Sequence, residues 1–297
     1  CGKITGETEK TMKVIGLGRV GCGIATEFES YPEYRTYKIG TDFGDKRGNF
    51  HTHLLIEPQE DIQRYEEMFD TIDIEAYLES IKSSDEVLFV VEGGDPLTGI
   101  ILSLLETIKD SKISVMYVCP DQDICSLVQK RDNKIVFNVL QEYARSGLFE
   151  RIFLVNRSKV EELIGDVAIA DYEKSVYHFI SYVFAMTAYF DNSTSVLESK
   201  MTPPEICRIS TFGVTSLDEQ AEIKFLFDLD EQKSCHFYFG VPDETLATDN
   251  QLMGKVKSQV KKFGQEGVDS GFSVHSTDLD QSIVLCSFHA SKIQGLQ

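Results

Sequence analysis

The sequence predicts an α/β protein: a parallel, Rossmann-like sheet, a long central helix, and a second, smaller α+β domain. Three observations carry this. Continuous apolar runs, clearest at Val87–Val91, alternate with helical stretches, the pattern of a parallel sheet covered on both faces. The first such run ends directly in glycines. One stretch, Val176–Phe190, is apolar almost all round, as a helix buried between two layers must be.

The 297 residues carry 29 Lys and Arg against 48 Asp and Glu, a formal charge of −19. This length allows two domains or one large one. Hydrophobic residues are 42% and charged residues 26%, ordinary globular usage that argues against bulk disorder. The acid excess gives no strong nucleic-acid signal, because phosphate neutralisation needs a basic face. Lys255, Lys257, Lys261 and Lys262 form one basic cluster, spaced as a solvated helix face. No run reaches the ~18 apolar residues of a membrane span, so no membrane partner is expected. Seven cysteines are scattered without a C-x-x-C, which fits reduced thiols and a cytoplasmic location.

Residues 1–11 are polar and read as a leader or tail. The first domain is expected over 12–192. Lys13–Leu17 is a buried strand, and Gly21–Ser30 has helical character. Tyr34–Gly40 is the second strand, Gly44–Gly48 a loop, and Leu54–Ile56 a short strand. Asp61–Ser83 is acidic and amphipathic, hence mostly helix. Glu86–Val91 and Ile113–Cys119 are buried strands, with a helix over Ile100–Lys109 between them. Lys134–Ser146 is helical, and Arg151–Val155 is a strand. The central helix runs about six turns from Asp171. Thr202-Pro203-Pro204 then breaks the pattern. Over 193–297, Ile206–Phe212, Glu222–Leu229, Cys235–Gly240 and Ser282–Phe288 are strand-like, and Gln251–Phe263 is helical.

Two glycine motifs carry the chemistry. Gly16-Leu17-Gly18-Arg19-Val20-Gly21-Cys22-Gly23 follows a strand and opens a helix. Glycines there let a phosphate approach the backbone, and the helix start supplies unpaired N–H groups. Gly16, Gly18 and Gly21 also fit the dinucleotide G-x-G-x-x-G pattern, with Asp42 about 20 residues on. The bland alternative is a tight turn that binds nothing. Glu92-Gly93-Gly94-Asp95-Pro96-Leu97-Thr98-Gly99 follows another buried strand. It suits a second phosphate loop, or a capped helix start with Asp95 as N-cap and Pro96 at the first position.

The order of these parts resembles the tubulin/FtsZ superfamily of GTP-binding, filament-forming proteins. The resemblance spans Lys13 to Phe190, with a looser likeness of the final α+β half. It implies GTP or GDP as ligand, allows for Mg²⁺, and implies head-to-tail self-association. Gly16, Gly18 and Gly21, with Arg19 and Cys22 between and beside them, match the first phosphate loop. Gly93, Gly94, Thr98 and Gly99 match part of the family's GGGTGTG signature, with Asp95 inside it. Thr41 and Asp42 match the loop after the second strand. Asn156 and Asp171 fall near the guanine ring. Asp171 is alternatively a charge favoured by the helix dipole, and Asn156 a turn residue.

The departures are specific. Asp95-Pro96-Leu97 replaces the Gly-Thr-Gly centre of the signature, bringing a negative charge and removing an N–H donor. Gly23 stands where bacterial members carry an Asn. The family's Asn-x-Asp-x-x-Asp catalytic loop reads Asp191-Asn192-Ser193-Thr194-Ser195 here. Asp191 is the one candidate to complete hydrolysis in a neighbouring subunit, or else part of a helix-ending turn. Weak GTP hydrolysis is the implied activity. The competing functions are an NAD-binding oxidoreductase or sensor, and a structural relative whose nucleotide pocket has decayed.

Overall fold

The computed structural model describes residues 12–43, 53–218, 221–263 and 267–296. The leader at 1–11 and the Gly44–Gly48 loop lie outside the described residues.

The first half alternates strand and helix: β1 (Met12–Leu17), α1 (Gly18–Phe28), β2 (Tyr34–Gly40), β3 (His53–Leu55), α2 (Ile62–Met68), α3 (Ile74–Leu78), β4 (Glu86–Glu92), α4 (Ile101–Thr107), β5 (Lys112–Cys119), α5 (Leu127–Ser146), β6 (Arg151–Asn156), α6 (Arg157–Ile164) and α7 (Tyr172–Asn192). Its strands lie in the order β3-β2-β1-β4-β5-β6, all parallel. This is the doubly wound order, whose switch point lies between β1 and β4. The five apolar residues of β4 alternate between two cores. Val87, Phe89 and Val91 pack with helices α4 and α5, and Leu88 and Val90 pack with α1, α6 and α7. Full burial on both faces explains the unbroken apolar run.

The second half adds β7 (Leu197–Ser199), β8 (Ile209–Thr215), β9 (Lys224–Phe225), β10 (Gln232–Pro242), α8 (Asp243–Thr248), α9 (Leu252–Phe263), β11 (Asp269–Thr277) and β12 (Ile283–Ala290). Its strands continue the same sheet as β8-β12-β10-β11-β7. The seam is narrow: β6 meets β8 in parallel at Ile152↔Ile209 and Phe153↔Ser210 only. On the α5 side, Gln141 and Gln294 close the halves with reciprocal bonds of 3.2 and 2.8 Å.

Helix α7 lies where expected and ends at Asn192. Its buried stripe is Val176, Ile180, Val183 and Phe184, while Phe179 and Met186 are half-buried flanks. The last turn inserts Phe190 into the second half, stacked on His275 at 4.7 Å and beside Tyr238.

Several boundaries differ from the sequence expectation. Asp61–Ser83 is two short helices, because Asp61 and Asp73 each cap a fresh start and Ile72 is extended between them. Helix α5 begins seven residues before Lys134, at Leu127, on a capping box of Ser126 and Gln129. Glu222–Leu229 pairs as a strand only at Lys224–Phe225; Leu226 and Phe227 are apolar because they are fully buried. Strand β11 escaped the pattern because Ser273 and His275 supply part of its buried face.

Val183 is 1% exposed between the sheet and α1. Val183→Asp is therefore expected to lower unfolding free energy by several kcal/mol, about 3–5, through an unpaired buried carboxylate. Urea denaturation followed by circular dichroism measures this; an unchanged midpoint contradicts the placement of α7.

Candidate nucleotide site

The register pairs Leu17 with Val91, so the two glycine motifs leave the sheet side by side at the switch point. In open α/β sheets this crevice is where ligands bind.

Strand β1 runs into α1 without an intervening loop. A Cβ on Gly16 would sit 2.3 Å from the Gly21 carbonyl oxygen, and one on Gly21 would sit 2.4 Å from that of Val90. These two glycines let α1 lie directly on the strands. Gly18 has a φ of +72°, a conformation that favours glycine, and turns the chain into the helix. Cys22 is internal: its thiol donates to the Gly16 and Ile39 carbonyls at 3.3 Å each, and burial pushes its pKa up to about 12. Thr41 and Asp42 follow β2 at the same end of the sheet.

The second motif is shaped by packing. A Cβ at Gly93 would meet Asn133 Oδ1 at 1.9 Å, and one at Gly99 would meet the Ile62 carbonyl at 2.1 Å. Gly94, at φ +79°, passes 2.9 Å from the Gln129 carbonyl on the same measure. Thr98 is buried, and its hydroxyl donates to the Asp95 carbonyl at 2.7 Å. Asp95 is the N-cap of a 3₁₀ turn over Pro96–Ile100, its Oδ1 accepting from Leu97 N at 2.9 Å. Its Oδ2 lies 2.2 Å from where a Gly18 Cβ would stand.

Around this mouth the charges interlock. Arg157, at the start of α6, lies 3.4 Å from Glu92 and Glu161, 3.9 Å from Glu173, and stacks over Tyr172. Arg19 pairs with Glu173 at 2.9 Å. Burial raises the Glu92 pKa to about 7, with Arg157 opposing and Asp95 adding to the rise. Asn156 ends β6 and caps α6, accepting from Ser158 N at 3.0 Å. Asp171 precedes α7, is exposed, and makes no side-chain cap bond.

Sequence reasoning missed two groups on α7. Glu173 and Tyr177, four residues apart, face Arg19 and Gly23, four apart on α1. The Tyr177 ring fills the space a Gly23 side chain would need, with Cε2 at 2.4 Å from the Cβ position. Its hydroxyl is buried with no hydrogen-bond partner among the described residues.

Asp191 lies far along α7, in its final turn. Its carboxylate accepts from Tyr238 Oη at 2.7 Å and lines a cavity with Arg151 and His289. Desolvation there raises its pKa, against the pull of Tyr238 and Arg151. The residue as a whole is exposed, but its carboxylate is engaged within its own chain. Among the described residues no three His, Cys, Asp or Glu side chains are arranged to hold a metal ion.

No family model matches the chain, and no curated protein sequence matches it. Solved structures do. An FtsZ from M. jannaschii, described as an empty dimer, superposes with a TM-score of 0.68 at 14% identity, covering 95% of this chain and 89% of that one. The chain has the tubulin/FtsZ fold. A GTPγS-form protofilament of TubZ from Bacillus thuringiensis serovar israelensis gives 0.67 at 12% identity, over 95% and 87%. A GTPγS-bound protofilament of CetZ2 from Haloferax volcanii gives 0.68 at 12%, over 94% and 92%. Helix α7 packs on the first half and reaches the second with Phe190.

Glu92 ties the site to pH. Its pKa rises from 4.5 to about 7, so the folded chain holds its proton more tightly than the unfolded one. The associated stability is full below about 4.5 and is lost as pH rises through about 7. Between pH 4.5 and 7.5 the wild type is expected to lose roughly 3 kcal/mol more than Glu92→Gln. Parallel stability curves for the two proteins contradict this burial.

Proposed function

We propose that this chain is a filament-forming protein that takes a guanine nucleotide at the switch point and associates head to tail. The supporting observation is α1: it begins at a left-handed Gly18, has no cap from its own N-cap residue, and points its N-terminus at the crevice beside β4. Structural neighbours with this fold form protofilaments, two of them as GTPγS complexes. The phosphates would lie against Gly18, Arg19 N–H and the Gly93–Gly94 turn, with Thr41 and Asp42 at the rim. The base would lie between Asn156 and the start of α7. There Asp171 and Glu173 offer carboxylates that can accept from guanine N1–H and N2–H₂ together, which adenine cannot supply. A head-to-tail contact is heterologous and propagates instead of closing.

We propose no hydrolytic step through Asp191. Its carboxylate is held by Tyr238 in the same chain, and its replacement should act on stability first. Asp191→Ala leaves the buried Tyr238 hydroxyl without this acceptor and is expected to cost about 1–3 kcal/mol. Chemical denaturation checks this, and an unaltered midpoint contradicts it.

Equilibrium dialysis tests the ligand. GTP is expected to bind at least tenfold tighter than ATP, a ratio that one bidentate recognition pair of about 1–3 kcal/mol supplies. The Asp171→Ala/Glu173→Ala double variant should lose the preference. Sedimentation with GTP, GDP and no nucleotide tests assembly. Equal affinity for both nucleotides defeats the guanine reading, and a chain that stays monomeric at high concentration in every condition defeats the filament reading.

A further inference from the structure

The crevice that suits a phosphate is already occupied by a side chain. Helix α1 has eleven residues, its N-cap residue Leu17 makes no side-chain cap bond, and no acid lies in its first turn. Its free N–H groups and positive dipole end therefore need an anion from elsewhere. Asp95 supplies it. Its Oδ2 lies against Gly18, 2.2 Å from the position of the missing Cβ. The Arg19 backbone N–H acts on the same carboxylate and opposes the rise that burial imposes on its pKa. The other oxygen, Oδ1, is fixed by Leu97 N at 2.9 Å. One carboxylate thus bridges the starts of two helical segments, in the space that Gly18 leaves open.

We propose that Asp95 is an internal occupant of the phosphate position, so that a nucleotide enters only by displacing its carboxylate from Gly18 and Arg19 N–H. The proposal rests on the nucleotide reading above and deepens it: Asp95 sets how tightly the site takes phosphate. A carboxylate and a phosphate oxygen are both anionic acceptors for the same N–H groups, and they repel when both are present. Arg19 draws on the Asp95 carboxylate, but from a side chain already paired with Glu173. Glu92 adds a second carboxyl, and the cations Arg19 and Arg157 are within ion-pair distance of Glu173, Glu92 and Glu161. Pro96, next in sequence, offers no N–H that could replace the donors. The resting state is accordingly self-capped, and its phosphate affinity is low by construction.

The test compares the full chain with Asp95→Asn, which keeps the size and the Leu97 bond but loses the charge, and with Asp95→Gly, which empties the position. Affinities for GTP and GDP are measured by equilibrium dialysis, and the melting temperature is followed with and without inorganic pyrophosphate. The expected result is at least tenfold tighter GTP binding by Asp95→Asn than by the wild type. Pyrophosphate should raise the melting temperature of Asp95→Asn and Asp95→Gly by several degrees more than that of the wild type. Should Asp95→Gly fail to fold, Asp95→Asn decides alone. Wild-type affinity equal to or above that of the variants overturns the proposal and leaves the nucleotide reading standing. Absence of binding by every form, to nucleotide and pyrophosphate alike, overturns both.

Discussion

The closeness of α1 to the strands beneath it is the constraint on which the rest of the molecule depends. Backbone carbonyls of Gly21 and Val90 approach within 2.3 and 2.4 Å of the positions that side chains at Gly16 and Gly21 would occupy. Any larger residue lifts the helix off the sheet. With the helix seated, its N-terminus has one possible position, over the seam between β1 and β4. That seam is the topological switch point, so the helix dipole and the crevice coincide. The same seating brings Arg19 and Gly23 against Glu173 and Tyr177, which fixes α7 relative to α1.

Helix α7 then carries this geometry across the molecule. Its first turns face the crevice, and its last turn holds Phe190 between His275 and Tyr238 of the second half. The halves also meet through the β6–β8 seam, the Gln141–Gln294 bonds, the Asn156 N–H bond to the Leu226 carbonyl and the Lys159–Asp228 ion pair. A 21-residue helix with contacts at both ends is thus a rigid link between the crevice and β10.

Much of this was legible in the sequence, because burial on both faces leaves an unbroken apolar run. Strands β1, β2, β4, β5 and β6 and the reach of α7 followed from that pattern. The second half was harder. Its strand β11 buries Ser273 and His275, with Ser273 lining a cavity beside His236 and His289, so no hydrophobic alternation marks it. Leu226 and Phe227 imitate a strand although they serve only to fill the core. At the site, the glycines of the first motif were identifiable, but their purposes were not. Gly16 and Gly21 answer to helix seating, Gly93 and Gly99 to α5 and α2, and Gly18 alone opens toward the crevice. The Asp95 contact joins residues 77 positions apart in sequence, and no local spacing announces it. Tyr177 was hidden for the same reason, since its neighbour Gly23 lies on another helix.

The central claim is that the Asp95 carboxylate and a nucleotide phosphate share one place. A crystal structure of the chain grown with saturating GDP addresses it directly. The account predicts a phosphate against Gly18 and the Arg19 N–H, with the Asp95 side chain swung away from both. GDP bound with its phosphates elsewhere, and Asp95 still resting on Gly18, would contradict it.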